Sequence, residues 1–299
     1  MLAIGTRGSQ LALRQARWVA ERLAEAGEPS RLEIIRTTGD KIADAPLARI
    51  GGKGLFTKEI EEALLEGRID LAVHSLKDLP TELPAGLRLA AVPPREDPRD
   101  ALVGARLAEL PEGARVGTSS LRRSAQLRAL RPDLRIEPVR GNLDTRLRKL
   151  EEGRYDALVM AAAGLKRMGW QERISEYLPA EWICPAPGQG ALAIETRADG
   201  EAARICSALE DAAARAEVTA ERAVLAGLGG GCQVPVGAYA EFREGRLAIR
   251  AAVISPDGSR VIRAEAEGPA AQAAELGGEL ARRLLERGAR AVLEAVYGR

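Results

Sequence analysis

Through its first two-thirds the chain alternates short apolar runs with amphipathic stretches, and most runs end at glycine or proline. Leu2 to Thr6 reads as a buried strand. The turn Gly5-Thr6-Arg7-Gly8-Ser9 then opens a helix whose Ala12, Ala16, Val19, Leu23 and Ala26 fall at alternating spacings of four and three. Arg31 to Thr37 is a second strand, and Thr38 to Gly54 a long glycine-rich loop. A short helix carries Ile60, Ala63 and Leu64 inward. Leu71 to Ser75 is a third strand, followed by a loop bearing Lys77 and Asp78 before Pro80, and Leu87 to Val92 a fourth.

Pro93-Pro94-Arg95-Glu96-Asp97-Pro98 breaks the pattern, and then it starts again. Val116-Gly117-Thr118-Ser119-Ser120 leads into a helix through Leu121, Ala125 and Leu130, as Ile4 to Ser9 led into the first. Leu134 to Val139 is the next strand, and Arg140-Gly141-Asn142 opens a helix with Leu143, Leu147 and Leu150 on one face. Glu152-Gly153-Arg154-Tyr155-Asp156 precedes the apolar run 157–161, as Glu66-Gly67-Arg68-Ile69-Asp70 precedes Leu71 to Val73. Two matched segments in one order argue for two lobes of like α/β topology. The segment Cys184-Pro185-Ala186-Pro187-Gly188-Gln189-Gly190 leads back to a strand, Ala191 to Thr196. Proline-rich segments at both ends of the middle portion imply that the chain crosses between lobes twice, with a hinge and a cleft between them.

A helical stretch from Glu201 to Ala226 ends at Gly227-Leu228-Gly229-Gly230-Gly231-Cys232-Gln233-Val234-Pro235. One glycine suffices to stop a helix. Three in a row before an exposable thiol point to something bulky lying against bare backbone. Beyond it, Leu247, Ile249, Ala251 and Val253 alternate, Pro256-Asp257-Gly258 turns, and Ile262, Ala264 and Ala266 alternate back. A closing helix uses Leu276, Leu280 and Leu284 and stops at Gly288. This is a small antiparallel sheet with helical cover. The expected division is 1–94 with 190–206, 95–189, and 207–299.

The 299 residues carry a formal net charge of +1, so no global charge draws the chain to nucleic acid or a membrane. No apolar run approaches a membrane span and the N-terminus lacks a signal-peptide pattern, so a cytoplasmic protein is expected. Cys184, Cys206 and Cys232 are an odd number at no metal-like spacing and read as free thiols. Arginine far outnumbers lysine and Asn142 is the only asparagine, a bias that fits a thermophile or a GC-rich genome.

Both lobes open on a strand, a Gly-Thr turn with serine, and a helix N-terminus, which together make an anion site. Ser9 and Ser120 taken alone are ordinary N-caps. Capping does not explain Arg7 inside the first turn, Arg122 and Arg123 at the start of the second helix, or Arg140 and Arg146 flanking the third. Cations there oppose the helix dipole unless an anion lies between them, and arginine grips carboxylate or phosphate bidentately. A polyanionic ligand is therefore expected. His74, the only histidine, sits in an apolar strand and reads as a packed residue. Asp78 stands at that strand's carboxyl end, where ligands gather, although Lys77-Asp78 also reads as a surface ion pair. Gly51-Gly52-Lys53-Gly54 matches neither a P-loop nor a dinucleotide fingerprint.

Nine stretches in order resemble the porphobilinogen deaminase (hydroxymethylbilane synthase) family. In the first lobe they are Thr6-Arg7-Gly8-Ser9-Gln10-Leu11-Ala12-Leu13, Gly51-Gly52-Lys53-Gly54-Leu55-Phe56 and Ala72-Val73-His74-Ser75-Leu76-Lys77-Asp78. Arg95-Glu96-Asp97-Pro98-Arg99-Asp100, Val116-Gly117-Thr118-Ser119-Ser120-Leu121-Arg122-Arg123, Arg140-Gly141-Asn142 and Ala163-Gly164-Leu165-Lys166-Arg167 follow. Pro187-Gly188-Gln189-Gly190 and Gly230-Gly231-Cys232-Gln233-Val234-Pro235 complete the set.

The resemblance implies an α/β fold of two hinged lobes like a periplasmic binding protein, with a doubly crossed chain and a small α+β third domain. It implies a dipyrromethane cofactor joined by a thioether to Cys232, one per chain. Four porphobilinogens are then deaminated and joined head to tail for tetrapyrrole synthesis, and hydroxymethylbilane is released to the next enzyme of that pathway. By the same resemblance Asp78 is the catalytic carboxylate, holding pyrrole N–H groups and stabilising the cation left when ammonia departs. Lys77, Asp78, Thr118, Ser119, Ser120, Arg122, Arg123, Arg140, Gly141 and Asn142 serve the cofactor. Arg7, Ser9, Lys53, Phe56, Arg140, Arg146, Arg167 and Gln189 serve substrate. Arg49 stands where the family often has lysine. A monomer is expected, with no metal. The rivals are a non-enzymatic hinged receptor for a small polyanion and a phosphate-handling α/β enzyme. A receptor needs neither Asp78 beside Lys77 nor a glycine-flanked thiol.

Overall fold

The computed structural model describes residues 1–41, 54–230 and 234–297. They divide into two compact units, Met1–Glu96 with Ala191–Arg215, and Asp97–Gly190 with Ala216–Arg299.

The first unit holds one five-stranded sheet. Its strands are β1 (Leu2–Thr6), β2 (Ser30–Ile34), β3 (Leu71–Ser75), β4 (Leu87–Ala91) and β10 (Leu192–Arg197), in the order β2-β1-β3-β10-β4. β1 runs parallel to β2 and β3, and β10 antiparallel to β3 and β4. Burial on both faces explains the unbroken apolar runs. Ile4, Leu71 and Val73 join one cluster with Ala16, Val19 and Leu23 of the helix Gln10–Glu25. Ala3 and Ala72 join a second with Ile60, Ala63 and Leu64 of the helix Lys58–Leu65. Ala26, expected on the helical stripe, lies just past the helix end and is exposed.

The second unit begins with a sheet of the same plan. β5 (Asp100–Val103), β6 (Arg115–Gly117), β7 (Arg135–Glu137), β8 (Ala157–Ala161) and β9 (Glu176–Leu178) take the order β7-β6-β8-β5-β9. β6 is parallel to β7 and β8, and β5 antiparallel to β8 and β9. Strand for strand this repeats the first sheet, with β5 where β10 stood. Along β8 the faces alternate again: Ala157 and Val159 pack with Val116 and Leu127, and Leu158 and Met160 with Val103 and Leu165.

The antiparallel third sheet, β11 (Val236–Arg243), β12 (Arg246–Ile254) and β13 (Val261–Pro269), belongs to the same unit. One of its faces packs on the helices Ala212–Gly227, Ala273–Glu286 and Ala289–Tyr297 through Val224, Leu276, Leu280, Leu284 and Val292. Sequence alternation found β12 and β13; away from the helices β13 carries Arg263, Glu265 and Glu267, whereas Ala252 and Ile254 of β12 are buried with Ala125 and Cys184. That pattern missed β11 and the final helix beyond Gly288.

The expected continuous helix from Glu201 to Ala226 is corrected. It is two helices, Glu201–Cys206 and Ala212–Gly227. The break is capped: Asp211 Oδ1 accepts the Ala214 N–H at 2.8 Å, and Glu210 Oε2 takes the Val92 N–H at 2.6 Å.

Glu221, fully buried on the Ala212–Gly227 helix, joins parts of the second unit. Its Oε2 accepts the Gly188 N–H at 2.7 Å and its Oε1 the Ala240 N–H at 2.8 Å. Beside it, Gln126 accepts the Cys184 N–H at 2.7 Å and donates to the Cys184 carbonyl at 3.0 Å.

Candidate active site

Parallel pairing brings the carboxyl ends of β1 and β3 to one edge of the first sheet. The turn 7–9 and the 3-10 turn Leu76–Asp78 continue from those ends. Ligands collect at such an edge. Asp78 is exposed, and nothing among the described residues hydrogen-bonds or ion-pairs with its carboxylate. Lys77 beside it is half-buried. Ser9 caps its helix, accepting the Ala12 N–H at 3.3 Å.

Arg7 lies over the Phe56 ring, 4.1 Å from the centroid, and pairs with Asp40 at 2.5 Å. Burial works against the charge of Asp40, but Arg7 and Thr37 outweigh it and hold the carboxyl below the ordinary range. Gly39 leaves room for the ring: a Cβ there would meet Phe56 Cε1 at 2.2 Å. His74 is buried and its Nε2 lies 3.1 Å from Glu195 Oε2 on β10, so it is the packed residue that its apolar strand indicated.

The second sheet repeats the arrangement. β6, β7 and β8 end at one edge, and Asp100, opposite Ala161, begins β5 there. Thr118 is buried and its Oγ1 accepts the Ser120 N–H at 3.2 Å. Exposed Ser119 donates to the Val139 carbonyl at 2.8 Å, and Ser120 caps the helix Leu121–Leu130 by accepting the Arg123 N–H.

The first turn of that helix holds Arg122 and Arg123, with side chains only 5% and 8% exposed around the fully buried Asp100. Arg122 Nη1 donates to Asp100 Oδ2 at 2.6 Å and to the Cys184 carbonyl at 2.7 Å. Arg123 donates through Nε (2.9 Å) and Nη2 (2.7 Å) to Asp100 Oδ1, and through Nη1 to the Val159 carbonyl at 3.2 Å. Buried Gln189 donates from Nε2 to Asp100 Oδ1 (2.9 Å) and to the Pro98 carbonyl (2.7 Å). Burial pushes the Asp100 carboxyl up, but the two guanidinium groups prevail and leave it far below the usual range. Asp100 is therefore ionised.

Contrary to the expectation from sequence, the cations at these helix starts do not need a bound ligand for balance: the chain supplies an anion itself, Asp100 for Arg122 and Arg123 and Asp40 for Arg7. Both partners lie far off in sequence, so spacing did not reveal them. The one available signal was Asp100 closing the Arg95–Asp100 motif. Two positive charges against one still leave the buried cluster a net cation.

Arg140 is half-buried, and its carbonyl accepts from Lys149 Nζ at 3.0 Å. Gly141 has φ +106°, and a Cβ there would meet Thr145 Cγ2 at 2.6 Å, so only glycine fits. Asn142 is the N-cap of the helix Leu143–Glu151, exposed, with no capping bond from its side chain. Arg146 Nε donates to the Gly141 carbonyl at 2.8 Å, and Arg167 Nη2 to the Gly190 carbonyl at 2.6 Å. Gly229 and Gly230 both take positive φ where the helix Ala212–Gly227 ends, and the Gly230 N–H returns to the Leu225 carbonyl at 2.8 Å. Cys232, Lys53 and Arg49 lie outside the described residues.

Burial raises the thiols of Cys184 and Cys206 to about 12, although Arg122 pulls against it at Cys184. Both read as structural. Among the described residues no group of His, Cys, Asp and Glu is placed to hold a metal ion, and no helix is long and apolar enough to cross a membrane.

Residues 2–204 match the family model described as porphobilinogen deaminase, dipyromethane cofactor binding domain, and residues 215–286 that of the porphobilinogen deaminase C-terminal domain. Porphobilinogen deaminase of Syntrophus aciditrophicus is 56% identical over 299 residues, covering 98% of each chain. That of Desulforudis audaxviator is 55% identical over 303 residues, with 99% of this chain and 97% of the relative covered. That of Deinococcus radiodurans is 51% identical over 304 residues, with 99% and 98% covered. Among solved structures, a methionine-bound nutrient-binding protein of Burkholderia cenocepacia aligns at 13% identity and TM-score 0.42, over 69% of this chain and 89% of that one. The two family models together take in residues 2–204 and 215–286, and the relatives are more than half identical over nearly the whole chain: the chain belongs to the porphobilinogen deaminase family.

Proposed function

We propose that this chain deaminates porphobilinogen and joins four such units head to tail on a covalent dipyrromethane, releasing hydroxymethylbilane for tetrapyrrole synthesis. The observation that carries the reading beyond family membership is the net positive charge of the buried arginine cluster at a strand-end edge. Both substrate and cofactor are carboxylated pyrroles, and buried guanidinium groups with donors to spare suit carboxylates.

The residues present fit the dipyrromethane. Arg122 keeps Nε and Nη2 without an acceptor among the described residues. Ser119 and Asn142 are exposed at the same kind of edge, and the Leu143–Glu151 helix offers backbone N–H groups beside Asn142. In this reading Lys77, Thr118, Ser119, Ser120, Arg122, Arg123, Arg140, Gly141 and Asn142 hold or shape the cofactor site. Arg7, Ser9, Lys53, Phe56, Arg140, Arg146 and Arg167 receive substrate. Gln189 works through Asp100, because its amide is already engaged there. The bound dipyrromethane supplies the pyrrole carbon on which the product is extended.

Asp78 is the catalytic carboxylate of the proposal. Its open carboxylate accepts pyrrole N–H groups and offsets positive charge as ammonia leaves the substrate side chain. Arg7 orients a substrate carboxylate, held in place by the Phe56 face and exchanging Asp40 for the ligand. Cys232, in the third domain (207–299), makes the thioether, one per chain. The enzyme acts as a cytoplasmic monomer and passes its product to the next enzyme of the pathway.

Asp78→Asn tests the reading. The variant is expected to carry the dipyrromethane mass on the denatured chain and to lose at least about a hundredfold in turnover, the order of a removed transition-state contact. Near-parental turnover would remove Asp78 from catalysis. A chain with Cys232 intact that gains no mass from porphobilinogen would end the deaminase reading, whereas mass gained by Cys232→Ala would move the attachment to another residue.

A further inference from the structure

We infer that Asp100, assisted by Gln189, is a positioning residue for cofactor recognition: it locks Arg122 and Arg123 into one buried pair and leaves Arg122 to receive a single further carboxylate. The inference rests on the function proposed above and deepens it.

Two guanidinium ions side by side, nearly dry, in the first turn of a helix are unfavourable three times over. They repel each other, they are desolvated, and they face the positive end of the dipole. Asp100 answers all three. It is 0% exposed and spans the pair, with Oδ2 on Arg122 and Oδ1 on Arg123. The arginines are then unequal. Arg123 donates through all three of its nitrogens, to Asp100 and to the Val159 carbonyl. Arg122 puts both of its bonds on Nη1, to Asp100 and the Cys184 carbonyl, and keeps Nε and Nη2. One carboxylate against two guanidinium groups leaves one positive charge, so one ligand carboxylate makes the cluster neutral.

Gln189 fixes Asp100 in turn. Its Nε2 joins Asp100 Oδ1 to the Pro98 carbonyl, and the adjacent Gly188 N–H is held by buried Glu221. Pro98 lies just before β5 and Gln189 within the proline-rich return, so the two chain segments that bound this sheet meet at the aspartate that orients the arginines. That placement gives Asp100 a use beyond charge balance. Without it the guanidinium groups would separate, and the geometry that receives a ligand carboxylate would have to form during binding.

The test uses the full-length apoprotein in parental, Asp100→Asn and Gln189→Met forms. Folding is checked by circular dichroism, and melting temperatures are taken before and after loading. Loading is followed as intact-mass gain on incubation with porphobilinogen. The parent should gain one dipyrromethane and melt higher when loaded. Asp100→Asn is expected to load about tenfold more slowly and Gln189→Met about threefold, the scale of one charge-assisted and one neutral hydrogen bond. Both should show a smaller rise in melting temperature on loading. A merely structural role would lower the loaded and unloaded melting temperatures together, with parental loading rate and increment, and that result overturns the proposal. If Asp100→Asn does not fold, Gln189→Met decides alone by the same two readouts. A parent that gains no mass overturns the deaminase reading, and this proposal with it; normal loading of parent and both variants overturns this proposal only.

Discussion

Replacing Glu221 by alanine removes a buried carboxylate of the second unit whose two backbone hydrogen bonds give a magnitude. The carboxylate is 0% exposed and accepts two backbone N–H groups, Gly188 at 2.7 Å and Ala240 at 2.8 Å. Truncation leaves both donors buried without an acceptor, at about 1–3 kcal/mol each, and loses two charge-assisted bonds. Relief of the carboxylate's own desolvation returns part of this, so a net loss of about 3–5 kcal/mol is expected. Glu221→Gln keeps the volume but has one acceptor oxygen, and its NH₂ must face the second donor, which costs about 2 kcal/mol. The assay is urea unfolding in a Trp18→Phe background. Fluorescence then comes from Trp170 and Trp182, both in the second unit. With a urea slope of about 3 kcal/mol per M, Glu221→Ala should lower the midpoint by about 1 M or more. A midpoint within about 0.2 M of the parent would refute the reasoning and mean that water or a rearranged backbone satisfies both donors.

Two further outcomes follow from buried titratable groups. Burial, with the Glu195 charge adding to it, raises the Glu61 carboxyl against the pull of Thr57 and His74. A raised folded-state value means that the group's stability contribution is complete below its unfolded value of 4.5 and is lost as pH rises through the folded one. Glu61→Gln should therefore melt higher than the parent near neutral pH and flatten the fall in melting temperature above about pH 4.5; parallel curves for the two proteins would reject the assignment. In the second case, Cys184 and Cys206 are buried with thiols near 12, so a thiol reagent at about pH 8 should modify only Cys232 in folded apoprotein and nothing after loading. Two or more reactive thiols in the folded apoprotein would contradict this.

The lobes were legible because strands covered on both faces are written as continuous apolar runs, and Ile4-Gly5-Thr6 and Val116-Gly117-Thr118 recur in the same setting. Ile60, Ala63 and Leu64 were readable for a similar reason, since a three-four spacing leaves one face to bury. What escaped is either too short to show a period or depends on distant partners. β9 is three residues long and β5 four. The helix restart at Ala212 hangs on the single cap at Asp211. Arg7, Arg122 and Arg123 announced themselves as misplaced cations. Their anions, Asp40 and Asp100, are 33 and 22 or 23 residues away, so the arginines looked as though only a ligand could balance them. In the same way, composition could single out His74 as unique but could not find Glu195, 121 residues on.

The placement of β10 has a consequence for synthesis on the ribosome. It lies between β3 and β4, yet it is made about 100 residues after β4 ends, and at about 5–20 residues per second that delay is several seconds. Throughout it, the emerging first unit has two open strand edges and no way to close its sheet, while β5 to β9 are adjacent in sequence and can assemble as they appear. The middle of the chain is therefore expected to be folded before its beginning. A nascent chain stalled before Leu192 would present the unpaired edges of β3 and β4 to chaperones or to other chains.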